Sequence, residues 1–269
     1  MPSAVSFRVI IARPLLVLVA LAMLLVIAPR ASLATDFYEI QIYTNDTTPA
    51  NQLMLELHTN DLVAAQGKGR TELPIYQYHN TFEFTYGLLP WLEVGQYICT
   101  GELGEGLYEY AGARTKAHFS IPQTESWPFR LGGNIEFQYM RRAAVTDPLN
   151  IEFMPIIDGY LGHFYLVGNP AVEKQFSGPG THSGLSFEPA AAISYRLFGK
   201  WNWLEPSLEY YGEQGPFTNV YGFNQQQDFI VPGVNLYLDP RFEFNFGVGV
   251  GLPGTLSGQF VKATIGWLL

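Results

Sequence analysis

The feature that most constrains this chain is an alternation of apolar and polar side chains with a period of two. In RFEFNFGVGVGL (241–252), aromatic and aliphatic residues occupy every second position, and glutamate, asparagine and glycine lie between them. Successive side chains of an extended strand point to opposite faces, so this pattern predicts a β-strand with one apolar face. The pattern recurs in QLMLELH (52–58), TFEFTYGL (81–88), NIEFQY (134–139), LSFEPAAAISYRL (185–197) and FVKATIGWLL (260–269).

Short turns and longer connections alternate between these strands. Tight turns are expected at 87–91, 121–128, 158–162, 198–201 and 238–241. The longer connections lie between them, at 63–74, 101–106, 143–150, 169–184, 212–227 and 252–258. Such alternation is typical of outer-membrane barrels, in which the short turns are periplasmic and the long loops are extracellular.

Counting strands backward from a periplasmic C-terminus gives an even number. Twelve strands are predicted, near 51–62, 75–87, 91–100, 107–120, 129–142, 149–158, 161–168, 185–198, 201–212, 227–238, 241–252 and 257–269. FYEIQIYTN (37–45) also reads as a strand, but a thirteenth spanning strand would break the even count. We therefore expect 35–50 to be an N-terminal segment in the lumen or at the periplasmic rim, followed by a barrel over 51–269.

The polar faces of the predicted strands are rich in glutamate, and they include a smaller number of bases. The residues predicted to line the lumen are Glu56, Glu83, Glu93, Glu136, Glu152, Glu188, Arg196, Glu209, Glu243 and Lys262. A soluble sandwich would show the same alternation with its glutamates in water, but it would need a second layer to bury the apolar face. A closed barrel in lipid needs no such layer and has no edges. The fold class favoured is therefore all-β, a closed antiparallel up-and-down transmembrane β-barrel of about 12 strands.

Five tryptophans lie near the proposed periplasmic turns or the C-terminus. They are Trp91, Trp127, Trp201, Trp203 and Trp267. Tryptophan prefers the interface between lipid and water, so the placement is consistent with an aromatic girdle, although aromatic residues are also common at ordinary strand ends.

The first 34 residues resemble a cleaved secretory signal peptide. Arg8 and Arg13 precede the apolar run LLVLVALAMLLVIA (15–28), and SLA (32–34) offers small residues before a cleavage site. A retained transmembrane anchor usually needs about 20 apolar residues, so the 14-residue run favours cleavage. We therefore expect export to the bacterial outer membrane, with lipid and the barrel-assembly machinery as partners.

Charge and motifs limit the chemistry. The chain has 24 acidic and 15 basic residues, a balance that argues against nucleic acid as a partner. Cys99 is the single cysteine, so no disulfide framework is expected, and no phosphate-binding loop or catalytic motif is present. No cofactor, metal site or catalytic residue is predicted. His58 and the His182–Ser183 pair are the candidates for the alternative of a lipid-acting enzyme, but adjacent residues in a loop rich in glycine and proline rarely form a catalytic pair, so loop polarity explains the latter pair better.

The chain resembles a family of bacterial outer-membrane barrels similar to the meta-pathway of phenol degradation proteins. The resemblance rests on EIQIY (39–43), LMLELHTN (53–60), YGLLPWLEVGQY (86–97), NIEFQY (134–139), FEPAAAISYRL (187–197), EYYGEQGPF (209–217) and FEFNFGVGVGL (242–252). It implies a transporter-like barrel with a channel role and no established catalytic residues.

Three functions follow from these patterns. The first is a passive channel or facilitator for small solutes with an acidic lumen, since rings of carboxylates favour cations and polar solutes in pores. The second is an outer-membrane enzyme acting on lipid. The third is a structural or surface-interaction barrel in which acids and bases pair to plug the lumen, with the long loops as contacts.

Overall fold

A computed structural model shows that the chain folds into one closed antiparallel barrel. It describes residues 37–64, 77–103, 107–123, 127–255 and 257–269. The expected signal peptide at 1–34 and most of the connection at 63–74 lie outside the described residues. The twelve barrel strands are β1 (Leu53–Ala64), β2 (Gln77–Leu89), β3 (Leu92–Leu103), β4 (Leu107–Ser120), β5 (Phe129–Met140), β6 (Leu149–Leu161), β7 (Phe164–Gln175), β8 (Leu185–Tyr195), β9 (Leu204–Glu213), β10 (Gln227–Asp239), β11 (Phe242–Gly251) and β12 (Gln259–Leu268).

Each strand pairs with the next one along the chain, and β12 pairs with β1 to close the sheet. A two-residue strand, Gly215–Pro216, adds to β8 beside the beginning of the long connection before β10. The prediction of a closed barrel of about twelve antiparallel strands is confirmed. Among the described residues, no helix has both the length and the apolar character needed to cross a bilayer.

One predicted strand was too short. The sequence predicted 161–168, whereas β7 runs from Phe164 to Gln175 and leaves only 176–184 as its connection to β8. Asn169 and Pro170 suggested a turn, but both lie within the strand. Asn169 points inward and is fully buried, while Pro170 points outward. Proline is tolerated there because its ring needs no partner in lipid, although it donates no ladder bond.

The outward face is apolar over most of the barrel. Phe82, Phe84, Ile98, Phe137 and Phe153 each expose more than a third of their surface. The tryptophans lie at the end of the barrel with the short turns, where Trp91, Trp127, Trp201 and Trp267 are exposed and Trp203 is half-buried. This distribution is that of a surface whose solvent is lipid, with interfacial aromatic residues at one rim.

Residues 37–50, called the luminal segment below, lie inside the barrel and form no regular strand. Ala50 bridges Gly87 beside the short turn between β2 and β3. From there the segment extends toward the other end, where Phe37 and Ile40 pack in a buried apolar cluster with Phe229 and Phe260. The segment therefore spans much of the length of the lumen.

The inward glycines of β11 do not leave open space. A Cβ atom on Gly249 would lie 2.2 Å from the ring of Phe260 on the neighbouring strand, and one on Gly251 would lie 2.4 Å from Ser257. These glycines therefore make room for Phe260 and Ser257.

Candidate functional site

The luminal segment divides the barrel interior into two cavities. The larger has a volume of about 740 Å³ and extends to the end with the short turns, where Trp203, Leu238 and Pro240 line it. The smaller has a volume of about 100 Å³ and lies between the luminal segment and β4 to β9. A lumen of this kind is neither filled throughout by side chains nor open along its whole length.

Nine of the ten residues predicted to line the lumen have buried or half-buried side chains, and Arg196 is exposed. Six line the larger cavity: Glu56, Glu93, Arg196, Glu209, Glu243 and Lys262. Three line the smaller cavity, namely Glu136, Glu152 and Glu188. Glu83 is 1% exposed and belongs to the ion-pair network between them. That these groups contact a passing solute stays a prediction.

Part of the acidic charge is neutralised by buried bases. Lys116 Nζ lies 2.5 Å from Glu83 and 3.4 Å from Glu93. Lys262 Nζ lies 2.5 Å from Glu209, and it also donates to the Tyr211 hydroxyl at 2.9 Å. These pairs bridge different strands, and breaking one by removing a single partner would leave a buried charge uncompensated.

Other carboxylates face the cavities without a basic partner. Among the described residues, no ion pair is recorded for Glu56, Glu152, Glu188 or Glu243. Glu56 and Glu243 hydrogen-bond to each other across Gly266 of β12, which is paired with both. A Cβ atom on Gly266 would lie 2.7 Å from the Glu243 side chain, so the glycine makes this contact possible. The lumen therefore combines a paired network with unpaired acids.

A cluster around Tyr43 holds the luminal segment against the wall. The Tyr43 hydroxyl lies 2.7 Å from Glu136 and 2.8 Å from the Tyr97 hydroxyl, and it also contacts Glu39. Arg114 donates to Glu39 at 2.8 Å. Because a phenol has one proton, it can donate to only one of the two carboxylates at a time.

Glu39 belongs to the luminal segment and is buried within the barrel. Burial raises the pKa of the Glu39 carboxyl well above its usual range, and the nearby charge of Glu136 raises it further. The ion pair with Arg114 acts in the opposite direction and favours the charged form.

Two further side chains of the wall bind the backbone of the segment. Asn169 accepts from the Tyr43 amide and donates to the Tyr43 carbonyl, both at 2.9 Å. Asp158 accepts from the Asn45 amide at 2.6 Å and from Arg130 at 2.7 Å. Sequence reasoning missed Asn169 and Asp158 because both lay in expected turns, and only their position between outward apolar residues signals that they point inward.

One group has the composition of a metal site. The ligand atoms of Glu56, His58 and Glu83 lie within 4.8 Å of one another. Glu83 already accepts from Lys116, His58 and Thr85, so its oxygens are committed to protein donors. The group is thus accounted for as part of the buried ion-pair network.

The histidines considered for an enzyme are in different environments. His58 is 1% exposed, lies 3.0 Å from Glu83 and is 3.3 Å from Thr264 on β12. His182 is exposed at the end of the short helical turn Pro179–His182 on the connection between β7 and β8. His58 therefore lies between the Thr264 hydroxyl and the Glu83 carboxylate inside the buried ion-pair network, whereas His182 lies apart from that network on the connection between β7 and β8.

Comparisons with known proteins show the fold. The barrel is similar to an outer-membrane channel from Pseudomonas putida F1, with a TM-score of 0.59, 9% identity, and coverage of 86% of this chain and all of the other. It is also similar to the KdgM porin, with a TM-score of 0.53, 6% identity, and coverage of 80% of this chain and 98% of the other. No family model and no curated protein matches the chain. At these identities the likeness extends to the outer-membrane barrel fold alone.

Proposed function

We propose that this protein is a passive outer-membrane channel for small solutes, with a lumen that favours cations and neutral polar molecules over anions. The observation that supports it most directly is the cavity of about 740 Å³ inside the barrel, which is lined by carboxylates and reaches the end with the short turns. Both similar structures are outer-membrane channels or porins by name. The resemblance to the meta-pathway of phenol degradation barrels belongs to the same proposal.

The charge of the lumen supports the preference for cations. The larger cavity is lined by Glu56, Glu93, Glu205, Glu209 and Glu243, against fewer inward bases. Fixed charges inside a low-dielectric wall act strongly on ions in the pore, and a net acidic lining repels anions. The paired acids contribute little to this field, and Glu56 and Glu243 together contribute one negative charge, because the hydrogen bond between them requires one of the two to carry a proton.

The luminal segment is the constriction of this channel. It separates the two cavities and is tied to the wall by side chains of β1, β2, β4, β6, β7 and β12. A small conductance is therefore expected, since solutes must pass between the segment and the wall. The proposal also includes export by the signal peptide at 1–34, insertion by the barrel-assembly machinery and location in the outer membrane.

Planar-bilayer recording of the refolded full chain tests the proposed function. We expect discrete conductance steps and, under a salt gradient, a reversal potential with the sign of cation selectivity. A barrel that inserts but shows no steps above background would contradict the channel. The remaining candidate would then be the structural barrel, because the buried pairs and the luminal segment would close the lumen.

A further inference from the structure

The smaller cavity has a lining in which acids greatly outnumber bases. Arg114 is the one base among its described lining residues, and it pairs with Glu39 at 2.8 Å and with Glu136 at 3.6 Å. The acids of this lining are Glu39, Glu136, Glu152, Glu173, Glu188 and Glu213. One guanidinium cannot neutralise this many carboxylates, so the described lining is short of positive charge.

Three of these glutamates follow one another along a single row of the sheet. Glu136 on β5 is directly opposite Glu152 on β6, and Glu152 is directly opposite Glu173 on β7. Directly opposite residues have Cβ atoms about 4.5–5.5 Å apart, and like charges at such positions destabilise a sheet. A bound cation would remove the repulsion within this row.

Two of the acids have neither an ion pair nor a hydrogen bond to the described part of the chain. They are Glu152 and Glu188, on β6 and β8. Between them on β7 lies Ala171, which is directly opposite Glu188 and two residues from Glu173, the partner of Glu152. Because Ala171 and Ala190 are small and both line the cavity, they leave space beside the two free carboxylates.

A buried amide side chain also faces this space without a partner. Gln138 is 6% exposed, lines the smaller cavity and has no side-chain hydrogen bond to any residue that the structure describes. It is directly opposite Asn150, two residues from Glu152. Gln41 of the luminal segment lines the same cavity, and its buried Oε1 atom has no donor among the described residues. Since buried polar groups nearly always have partners, these amides indicate a ligand in the cavity.

The chemistry of the free groups selects a hard cation. They are carboxylate and amide oxygens, and the described lining contains no cysteine or histidine. Calcium takes about six to eight oxygens at about 2.3–2.6 Å, combines carboxylates, amide carbonyls and water, and tolerates irregular geometry. Softer transition metals prefer thiolate and imidazole ligands. The lining therefore suits calcium better than zinc or copper.

The spacing of the acids leaves room for water in the shell of the ion. Among the described residues, three ligand atoms of histidine, cysteine, aspartate or glutamate lie within 4.8 Å of one another at Glu56, His58 and Glu83, and not in the smaller cavity. Its carboxylates are thus too far apart to bind one ion all together. A cavity of about 100 Å³ holds on the order of three waters at about 30 Å³ each, so water can complete the shell.

We propose that the smaller cavity is a calcium-binding site. Glu152 and Glu188 supply the charged ligands, Gln138 and Gln41 supply amide oxygens, and water fills the remaining positions. Because Gln41 belongs to the luminal segment, the ion ties that segment to β5, β6 and β8. The inference goes beyond the proposed channel, since binding requires no passage of solute.

The position of the cavity gives the ion a route from outside the cell. Asn150 is the second residue of β6, and Glu213 is the last residue of β9, so the cavity lies toward the end with the long connections. In an outer-membrane barrel that end faces the medium. Calcium in the medium therefore reaches the site without crossing the larger cavity.

Terbium luminescence of the full chain in detergent micelles tests the site. Terbium(III) replaces calcium at oxygen sites and emits when a nearby tyrosine is excited. Tyr43 and Tyr211 line the smaller cavity, whereas the tryptophans lie at the end with the short turns. We expect saturable emission at one terbium per chain. Calcium should displace terbium at lower concentration than magnesium does, because magnesium demands regular octahedral geometry and gives up its water reluctantly.

A double variant removes the two charged ligands and keeps the size of their side chains. Glu152→Gln with Glu188→Gln should lower calcium affinity at least about 100-fold, because ligand charge sets calcium affinity over several orders of magnitude. The matched control is Glu102→Gln with Glu109→Gln, which removes the same charge near the same end of the barrel at residues that do not line the cavity. The control should bind calcium as the wild type does.

Unfolding in urea gives a second readout and checks that the double variant folds. With a chelator present, its unfolding midpoint should be no lower than that of the wild type, because glutamine relieves the repulsion among the acids. Calcium should raise the midpoint of the wild type and leave that of the double variant unchanged, since a ligand stabilises only the folded state that binds it.

Three results would overturn the proposal. Absence of terbium and calcium binding by the wild-type chain would mean that protons alone neutralise the acids, and this measurement needs no variant. Binding that survives in the double variant would place the ion elsewhere. An effect that sodium reproduces at equal ionic strength would be charge screening only. None of these results depends on conductance, so the channel is tested separately by the bilayer recording.

Discussion

Removing the side chain of Asn169 should loosen the luminal segment and open the pore. Asn169 makes two hydrogen bonds of 2.9 Å to the backbone of Tyr43 and is fully buried, so Asn169→Ala removes both at once. At about 1 kcal/mol for each bond, the docked state of the segment loses about 2 kcal/mol relative to the detached state. That difference is about a 30-fold shift in the equilibrium between the two states.

Single-channel recording measures this shift. Wild-type protein should dwell in a small conductance level, and Asn169→Ala should visit a larger level more often by about the same factor. The matched control is Asn80→Ala, because Asn80 also makes two side-chain hydrogen bonds, to Thr59 and Tyr108, on the lipid side of the wall. Identical levels and dwell times in wild type and Asn169→Ala would refute the assignment of the segment as the constriction.

Three other substitutions test the interior. Lys116→Met leaves the carboxylate of Glu83 buried and without its ammonium partner, so urea unfolding followed by tryptophan fluorescence should show a loss of about 3–5 kcal/mol, and a loss below about 1 kcal/mol would contradict the buried pairing. Gly249→Leu drives a side chain into the ring of Phe260 and should lower the unfolding midpoint, whereas an unchanged midpoint would mean that the two strands do not approach so closely. Glu243→Gln should shift the reversal potential under a salt gradient toward zero, and an unshifted potential would exclude this carboxylate from the selectivity of the pore.

The alternation of side chains was sufficient to predict the barrel and the direction of its faces. Every strand places residues i and i+2 on one side, so the inward set around Glu243 and Glu56 could be assigned without coordinates. The C-terminal alternation and short turns also placed the closing strand, β12, against β1. The alternation and the short turns depend only on residues close to each other in the chain, so they can be recognised in the sequence directly.

The interior contacts could not be predicted, because they depend on which strands face each other across the lumen. Nothing near Asn169 in the sequence indicates that its side chain binds Tyr43, 126 residues away. The dipeptide Asn169–Pro170 instead suggested a turn, so the strand predicted from the sequence ended at residue 168, before this dipeptide. The alternating pattern of the luminal segment was likewise recognised, but its partners are side chains of the wall, whereas the pattern alone suggests a backbone ladder.

The prolines within β6 to β10 are an intermediate case. Pro155, Pro189, Pro206 and Pro232 fall at outward positions of predicted strands, a fact available from the sequence once the faces are assigned, whereas Pro170 lay in a predicted connection. Their effect on the wall depends on register, because only the pairing shows that Pro155 meets Pro170 or that Pro189 and Pro206 bound one ladder. Register is set by contacts along whole strands and is not visible at single positions.

The most direct test of the channel is the conductance of the refolded full chain in a planar bilayer under a salt gradient. The carboxylate-lined cavity predicts discrete steps and a reversal potential of the sign that marks cation selectivity. A correctly folded and inserted barrel that gives no steps, or one that selects anions, would contradict the account.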